Sequence, residues 1–168
     1  MKTNISGIML MISEYTSKIN SLEKSIKNHV YNTSIQELSG NITIMEDYKE
    51  DFTKELREYQ ECLEKITKLK GILYQKNNEL KLSTGITIQE AISKNTNMRK
   101  LKSIYEYLIT CKNSKSRETE VNNSYFECKS INYDTNEIQE KLEKIEKEIH
   151  LIDFEISKLN SIEFKIEL

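Results

Sequence analysis

The stretch Ile138-Gln139-Glu140-Lys141-Leu142-Glu143-Lys144-Ile145-Glu146-Lys147-Glu148-Ile149-His150-Leu151-Ile152-Asp153-Phe154-Glu155-Ile156-Ser157-Lys158-Leu159 decides the fold class of this chain. Ile138, Leu142, Ile145, Ile149, Ile152, Ile156 and Leu159 recur at spacings of four and three, which on a 3.6-residue period puts them all on one stripe of a helix. On a strand the same residues would scatter over both faces. Between Glu140 and Glu148 the outer face alternates Glu and Lys, giving pairs such as Glu140/Lys144 and Glu143/Lys147 that add about 0.2–0.5 kcal/mol each. Asp134-Thr135-Asn136-Glu137 ahead of the run supplies a helix-capping signal.

The same periodicity returns on the N-terminal side. Ile5, Ile8, Ile12, Tyr15, Ile19, Leu22, Ile26 and His29 keep one register, which then decays through Asn32-Thr33-Ser34 toward a stop at Gly40. His29 reads as a seam histidine at a helix end, with a ligand or pH switch as the alternative. A second helix is expected from Thr43 to Gln75, with Met45, Tyr48, Phe52, Tyr59, Cys62, Ile66, Leu69 and Leu73 in one frame. Glu55 interrupts that frame, and Leu56 beside it can carry the packing. Gly71 costs about 1 kcal/mol relative to Ala if helical, and marks either close helix contact or fraying. Residues 77–86, beginning with Asn77 and Asn78, read as a loop. Thr87-Ile88-Gln89-Glu90 has the form of a capping box, so a third helix starts near Ile88, with Ile88, Ala91, Ile92, Met98, Leu101, Tyr105, Leu108 and Cys111 on its stripe and Asn95 on the apolar side.

Helical periodicity disappears from Lys112 to Asp134. Asn113-Ser114-Lys115-Ser116 is turn-like, and Val121, Tyr125, Phe126, Cys128, Ile131 and Tyr133 suit one or two short strands. At the C-terminus Ile162, Phe164, Ile166 and Leu168 alternate with charged residues, the period of a strand with one buried face. Such a strand needs a mate, expected in the 120–133 segment or in the same tail of another subunit. The expectation is a single helical domain over 1–168: mainly all-α, an antiparallel bundle of about four long helices with coiled-coil seams, plus short β segments near 120–133 and 162–168. The 168 residues include four Gly and no Pro, which suits long helices better than a turn-rich fold.

Charge sets limits on function. Twenty-five basic against 27 acidic residues lack the excess of Lys and Arg that non-specific nucleic-acid binding requires. Cys62, Cys111 and Cys128 form neither a CxxC nor a Cys/His cluster, so no disulfide framework, metal or cofactor is expected. The apolar run Ile8–Ile12 is far shorter than a membrane span of about 20 residues, so a cytoplasmic protein without membrane contact is expected. Twenty-two Lys against three Arg, with many Ile and Asn, is the composition of AT-rich coding sequence, as in low-GC bacteria and their mobile elements.

The order of these motifs over nearly the whole chain resembles the septicolysin-like family of small uncharacterised bacterial helical proteins. The residues that carry the resemblance are Asn77, Gly85, Thr87-Ile88-Gln89-Glu90-Ala91-Ile92, and Ile152-Asp153-Phe154-Glu155-Ile156-Ser157-Lys158-Leu159-Asn160. The chain departs from the family pattern at Asn95-Thr96, where an Arg-Asp pair is expected, and at Ser161, where a Trp is expected. Roles resting on that arginine or that tryptophan are not carried over. The resemblance implies an all-helical oligomer, with a ring as one form of it, and no established activity.

No nucleophile–base set, phosphate loop or metal-spaced carboxylate motif appears, so a non-enzymatic protein is expected. In a lysine-rich chain the three arginines stand out, because a planar guanidinium holds phosphate bidentately. Arg117 and nearby Tyr125, Arg99 on a basic helix face, Asn77, Asn78 and Asn95 are the candidate ligand-binding residues. The expected function is a homo-oligomer that binds or sequesters a small phosphate-bearing, nucleotide-like ligand in pockets between subunits, as a phage or mobile-element sponge for a host signal would. The alternative is a structural or protein-interaction coiled-coil module with no small ligand; a membrane-active protein ranks third.

Overall fold

Long apolar stripes and sparse glycine produce long helices, and the computed structural model is mostly helical. It describes residues 1–120 and 123–167. In chain order the elements are β1 (Lys2–Thr3), α1 (Ile5–Asn28), β2 (Thr33–Gln36), β3 (Ile42–Glu46), α2 (Lys49–Glu79), α3 (Ile88–Thr110), β4 (Ser114–Glu120), β5 (Asn123–Lys129), α4 (Thr135–Asn160) and β6 (Phe164–Lys165). The strands form three separate antiparallel pairs: β1 with β6, β2 with β3, and β4 with β5. These elements make two units, Met1–Glu79 with Asn160–Leu168, and Leu80–Leu159.

In the first unit α1 and α2 run antiparallel and bury the stripes read from the sequence. Ile8 and Leu69 are fully buried and meet Ile166 of the tail, flanked by Met11, Ile12, Tyr15, Ile72, Leu73 and Phe164. A second cluster joins Ile19 to Cys62 and Ile66. Cys62 therefore packs as a small hydrophobe. The tail finds its mate inside the chain, at the N-terminal strand: Lys2 faces Lys165 and Thr3 faces Phe164. This corrects the expected mates, the 120–133 segment or another subunit, since Phe164 and Ile166 are drawn down onto the Ile8/Leu69 cluster where β1 also lies. Leu168, which the alternating pattern included, lies outside the described residues.

The segment between α1 and α2 is also corrected. Helix α1 stops at Asn28, where the His29 backbone N–H caps the Ser25 and Ile26 carbonyls. Thr33–Gln36 and Ile42–Glu46 form a hairpin instead of fraying helix, so α2 begins at Lys49 and not at Thr43. Gly40 turns this hairpin at φ +92°, a conformation that favours glycine. Met45, counted on the heptad frame, sits in β3 and is exposed. At its other end α2 runs past Gln75 to Glu79. Asn77 and Asn78 are therefore helical, not loop, and the Asn78 side-chain amide donates back to the Tyr74 carbonyl at 2.8 Å. Gly71 is helical and exposed, and a Cβ there would meet nothing within 4 Å, which removes the close-contact reading.

In the second unit the capping box forms as the sequence expects: Thr87 Oγ1 accepts from Glu90 N at 3.2 Å, and Glu90 Oε2 accepts from Thr87 N at 2.8 Å. The Thr87 backbone N–H, and after it the Thr87 hydroxyl donating to the same oxygen at 3.1 Å, hold the Glu90 carboxyl below the usual carboxylate range. Ile88 and Ala91 of α3 and Ile138, Leu142, Ile149 and Ile152 of α4 are buried. Cross-helix pairs run antiparallel, Lys94 to Glu148 at 2.6 Å and Lys102 to Glu146 at 2.8 Å. Ser114–Ser116, read as turn, opens β4 instead. The ladder with β5 runs in unbroken register from Ser114↔Lys129 to Glu120↔Asn123, and every residue of both strands is exposed. Val121, assigned to this strand region, lies outside the described residues.

Candidate functional site

The middle of α3 breaks its own apolar stripe. Moving from Ile88 and Ala91 to the next buried position brings Asn95, only 4% exposed and the one buried polar residue among those described. A buried amide must find partners or leave an atom unpaired at a cost of about 1–3 kcal/mol. Asn95 meets half of that demand: its Nδ2 donates to Asp153 Oδ1 at 2.6 Å. Its Oδ1 is buried with no hydrogen-bond partner among the described residues. One turn on, Arg99 Nη2 donates to Asp153 Oδ2 at 2.7 Å, so Asp153 holds both α3 groups, one on each oxygen. The Arg99 side chain remains 60% exposed, leaving other guanidinium donors to face outward. Ile92, Asn95, Thr96, Arg99, Asp153 and Ile156 line a groove of about 270 Å³.

Of the six residues singled out in the sequence, the fold brings two together, Asn95 and Arg99. Arg117 and Tyr125 share a hairpin but not a face. Arg117 stands opposite Phe126 and Tyr125 opposite Glu118, and directly opposed residues share a face while successive ones alternate. They therefore point to opposite sides. About eleven residues of helix, or roughly 16 Å of rise, separate Arg99 from the end of α3, before the hairpin even begins. Asn77 and Asn78 belong to the other unit, where Asn77 Oδ1 is likewise buried without a partner among the described residues.

Asp153, which bonds both Asn95 and Arg99, is not among the residues that the sequence singles out. Its signal was adjacency: it follows Ile152 on the α4 stripe, one position off the seam, where a carboxylate can reach a polar interruption in the opposing helix. On the same unit Glu155 accepts from Ser83 Oγ at 2.5 Å and Ser83 N at 2.8 Å, and these two bonds, the hydroxyl's first, keep its carboxyl below the usual range.

The first unit carries a second polar cluster. Glu55 accepts from Ser25 Oγ at 2.7 Å and pairs with His29 Nδ1 at 3.0 Å, while the His29 ring stacks on Tyr48 at 4.6 Å between centroids. The Ser25 hydroxyl, assisted by His29 and opposed by burial, lowers the Glu55 pKa. The residue that interrupted the α2 frame is thus the acceptor for both α1 groups. The Ser25 and His29 side chains both bond to the carboxylate and not to each other, so this is not a nucleophile–base relay.

Among the described residues no group of three or more His, Cys, Asp or Glu is placed to hold a metal ion, and no helix is long and apolar enough to cross a membrane. A crystal structure of a functionally unknown conserved protein from Corynebacterium diphtheriae has a similar fold, with a TM-score of 0.65 at 18% sequence identity over 98% of this chain and 100% of that one. At that identity the likeness concerns the fold alone. No curated protein matches the chain. The match to a family of unknown function, DUF6847, spans residues 13–168, and the chain belongs to that family.

Proposed function

We propose that this protein is a non-enzymatic homo-oligomer that binds a small phosphate-bearing, nucleotide-like ligand at the α3/α4 groove, with self-association closing the groove into a pocket. The observation that carries the reading is the pairing of a buried, unpartnered amide oxygen on Asn95 with an exposed arginine one turn away. A nucleotide has the matching chemistry: a base edge with N–H donors for Asn95 Oδ1 and a phosphate for the free donors of Arg99. Asp153 already neutralises part of the Arg99 charge, so the ligand gains from the amide as well as from the phosphate. The lysine-rich composition, that of AT-rich mobile elements, extends the reading to sequestration of a host signal by a phage or mobile-element protein. Coiled-coil character of the helix pairs and a cytoplasmic location belong to the same reading.

Calorimetric titration of the full chain with nucleotides and cyclic nucleotides tests it. Heat that disappears in Asn95→Leu and in Arg99→Ala supports the site. No heat and no thermal shift with any member of the panel overturns it.

A second reading, an interaction module without a small ligand, is favoured by a different groove of about 390 Å³, where Leu151 and Phe154 are 65% and 70% exposed beside Lys81, Leu82 and Ser83. Light scattering over a range of concentrations separates the two, since a persistent monomer favours this module.

A further inference from the structure

The β4–β5 hairpin presents two chemically opposite faces. Register and pleat place Lys115, Arg117, Thr119, Ser124, Phe126 and Cys128 on one side. The other side holds Glu118, Glu120, Glu127, Tyr125 and Lys129, besides small polar residues. Three glutamates against one lysine leave that face two charges negative, while the first carries two positive charges and no acid. The contacts within each face follow this division: Lys115 Nζ lies 4.3 Å from the Phe126 ring centroid, Tyr125 Oη approaches Glu120 at 3.5 Å, and Lys129 lies 3.7 Å from Glu127. Arg117 and Glu118, neighbours in sequence on opposite faces, have no ion-pair partner among the described residues.

Such a hairpin is out of balance energetically. A two-stranded ribbon exposed on both faces is marginal in water, yet this one keeps an unbroken ladder from Ser114 to Glu120. Equal and opposite charge on its faces is self-complementary, but only head to tail: basic face on acidic face. A two-fold contact would set like on like. A free polyanion such as nucleic acid would satisfy one face and be repelled by the other.

We infer that the occupant of each hairpin face is the opposite hairpin face of a second copy of this chain, so that Lys115 and Arg117 of one copy meet Glu118 and Glu120 of the next in a heterologous contact. This names the surface through which the proposed self-association runs, and it rests on that reading. Head-to-tail contacts propagate, closing into a ring or extending into a filament.

The test uses two full-length variants, Lys115→Glu/Arg117→Glu, with two acidic faces, and Glu118→Lys/Glu120→Lys, with two basic ones. All four positions are exposed, and far-UV circular dichroism checks that both variants keep their helices. Light scattering should show each variant reduced to the single-chain mass, and an equimolar mixture should reassociate into an alternating assembly well above it, because every contact in the mixture is again between opposite charges. Raised salt should dissociate the wild type and the mixture alike. Variants that keep the wild-type mass, or a mixture that stays dissociated, overturn the hairpin contact while leaving self-association intact. A wild type that is monomeric at every concentration overturns both.

Discussion

Two helix pairs meet the same problem differently. In the α1–α2 pair the stripe is interrupted by Glu55, and Ser25 and His29 supply partners to both carboxylate oxygens. In the α3–α4 pair the interruption is Asn95, whose nitrogen is used by Asp153 while its oxygen is left over. The first arrangement is closed, and its polar groups act mainly as a clasp at the end of α1. The second is open on one atom, the Asn95 oxygen, which lies beside an exposed guanidinium. What distinguishes these two clusters is therefore the balance of donors and acceptors, not the number of polar residues.

The largest effect that sharpens this comparison comes from the apolar ground on which it stands. Leu69→Ala removes a fully buried side chain from the cluster with Ile8 and Ile166 and should destabilise the protein by about 2–5 kcal/mol in urea unfolding. A loss under about 1 kcal/mol would mean that the α1–α2 clasp, and not the core, holds that unit. Next is Asn95→Leu. Relief of the unpaired oxygen should offset the lost bond to Asp153, so stability should change by less than about 1 kcal/mol while ligand heat is abolished. Destabilisation by more than that amount would show the Asn95 oxygen to be satisfied and erase the contrast between the pairs.

How much of this was legible beforehand follows from what each element depends on. Helices α3 and α4 were readable because stripe, capping box and absence of proline agree locally. The β2–β3 hairpin was not, because Met45 and Tyr48 fall by coincidence on the α2 frame and mask the alternation of Ile42 and Ile44. The mate of the tail could not be read, since Lys2 and Lys165 pair across almost the whole chain and two residues carry no pairing signal. Asn95 announced itself as a polar residue on an apolar stripe. Arg117 and Tyr125 looked like a set only because the pleat, which sends them to opposite sides, is invisible until the register is known.

Smaller tests remain. Gly71→Ala fills open space on an exposed helical face and should stabilise by about 0.5–1 kcal/mol in thermal unfolding. A destabilisation would reveal a contact at this face that the single chain does not make. The smallest effect is a pH slope. The Glu55 pKa is lowered in the folded state from its ordinary 4.5, so the folded chain binds this proton less readily than the unfolded chain. Its stabilising contribution is full above about pH 4.5 and is lost as pH falls through the lowered folded value. Glu55→Gln should flatten the acid limb of a plot of Tm against pH, and an unchanged limb would show that the clasp contributes nothing.

The strand pair β1–β6 has a consequence for the order of folding. The first unit is discontinuous, residues 1–79 completed by 160–168, and the second lies wholly between its two parts. The α1–α2 pair can form from local contacts as soon as residue 79 is available, but Ile166 reaches Ile8 and Leu69 only after the second unit has been made. On the ribosome that apolar cluster waits, partly uncovered, for the whole of the second unit to be synthesised. Closing it joins segments at the greatest separation in the sequence, the kind of contact that slows folding most. The nested unit is free to finish first, and strand β6 then closes the first unit.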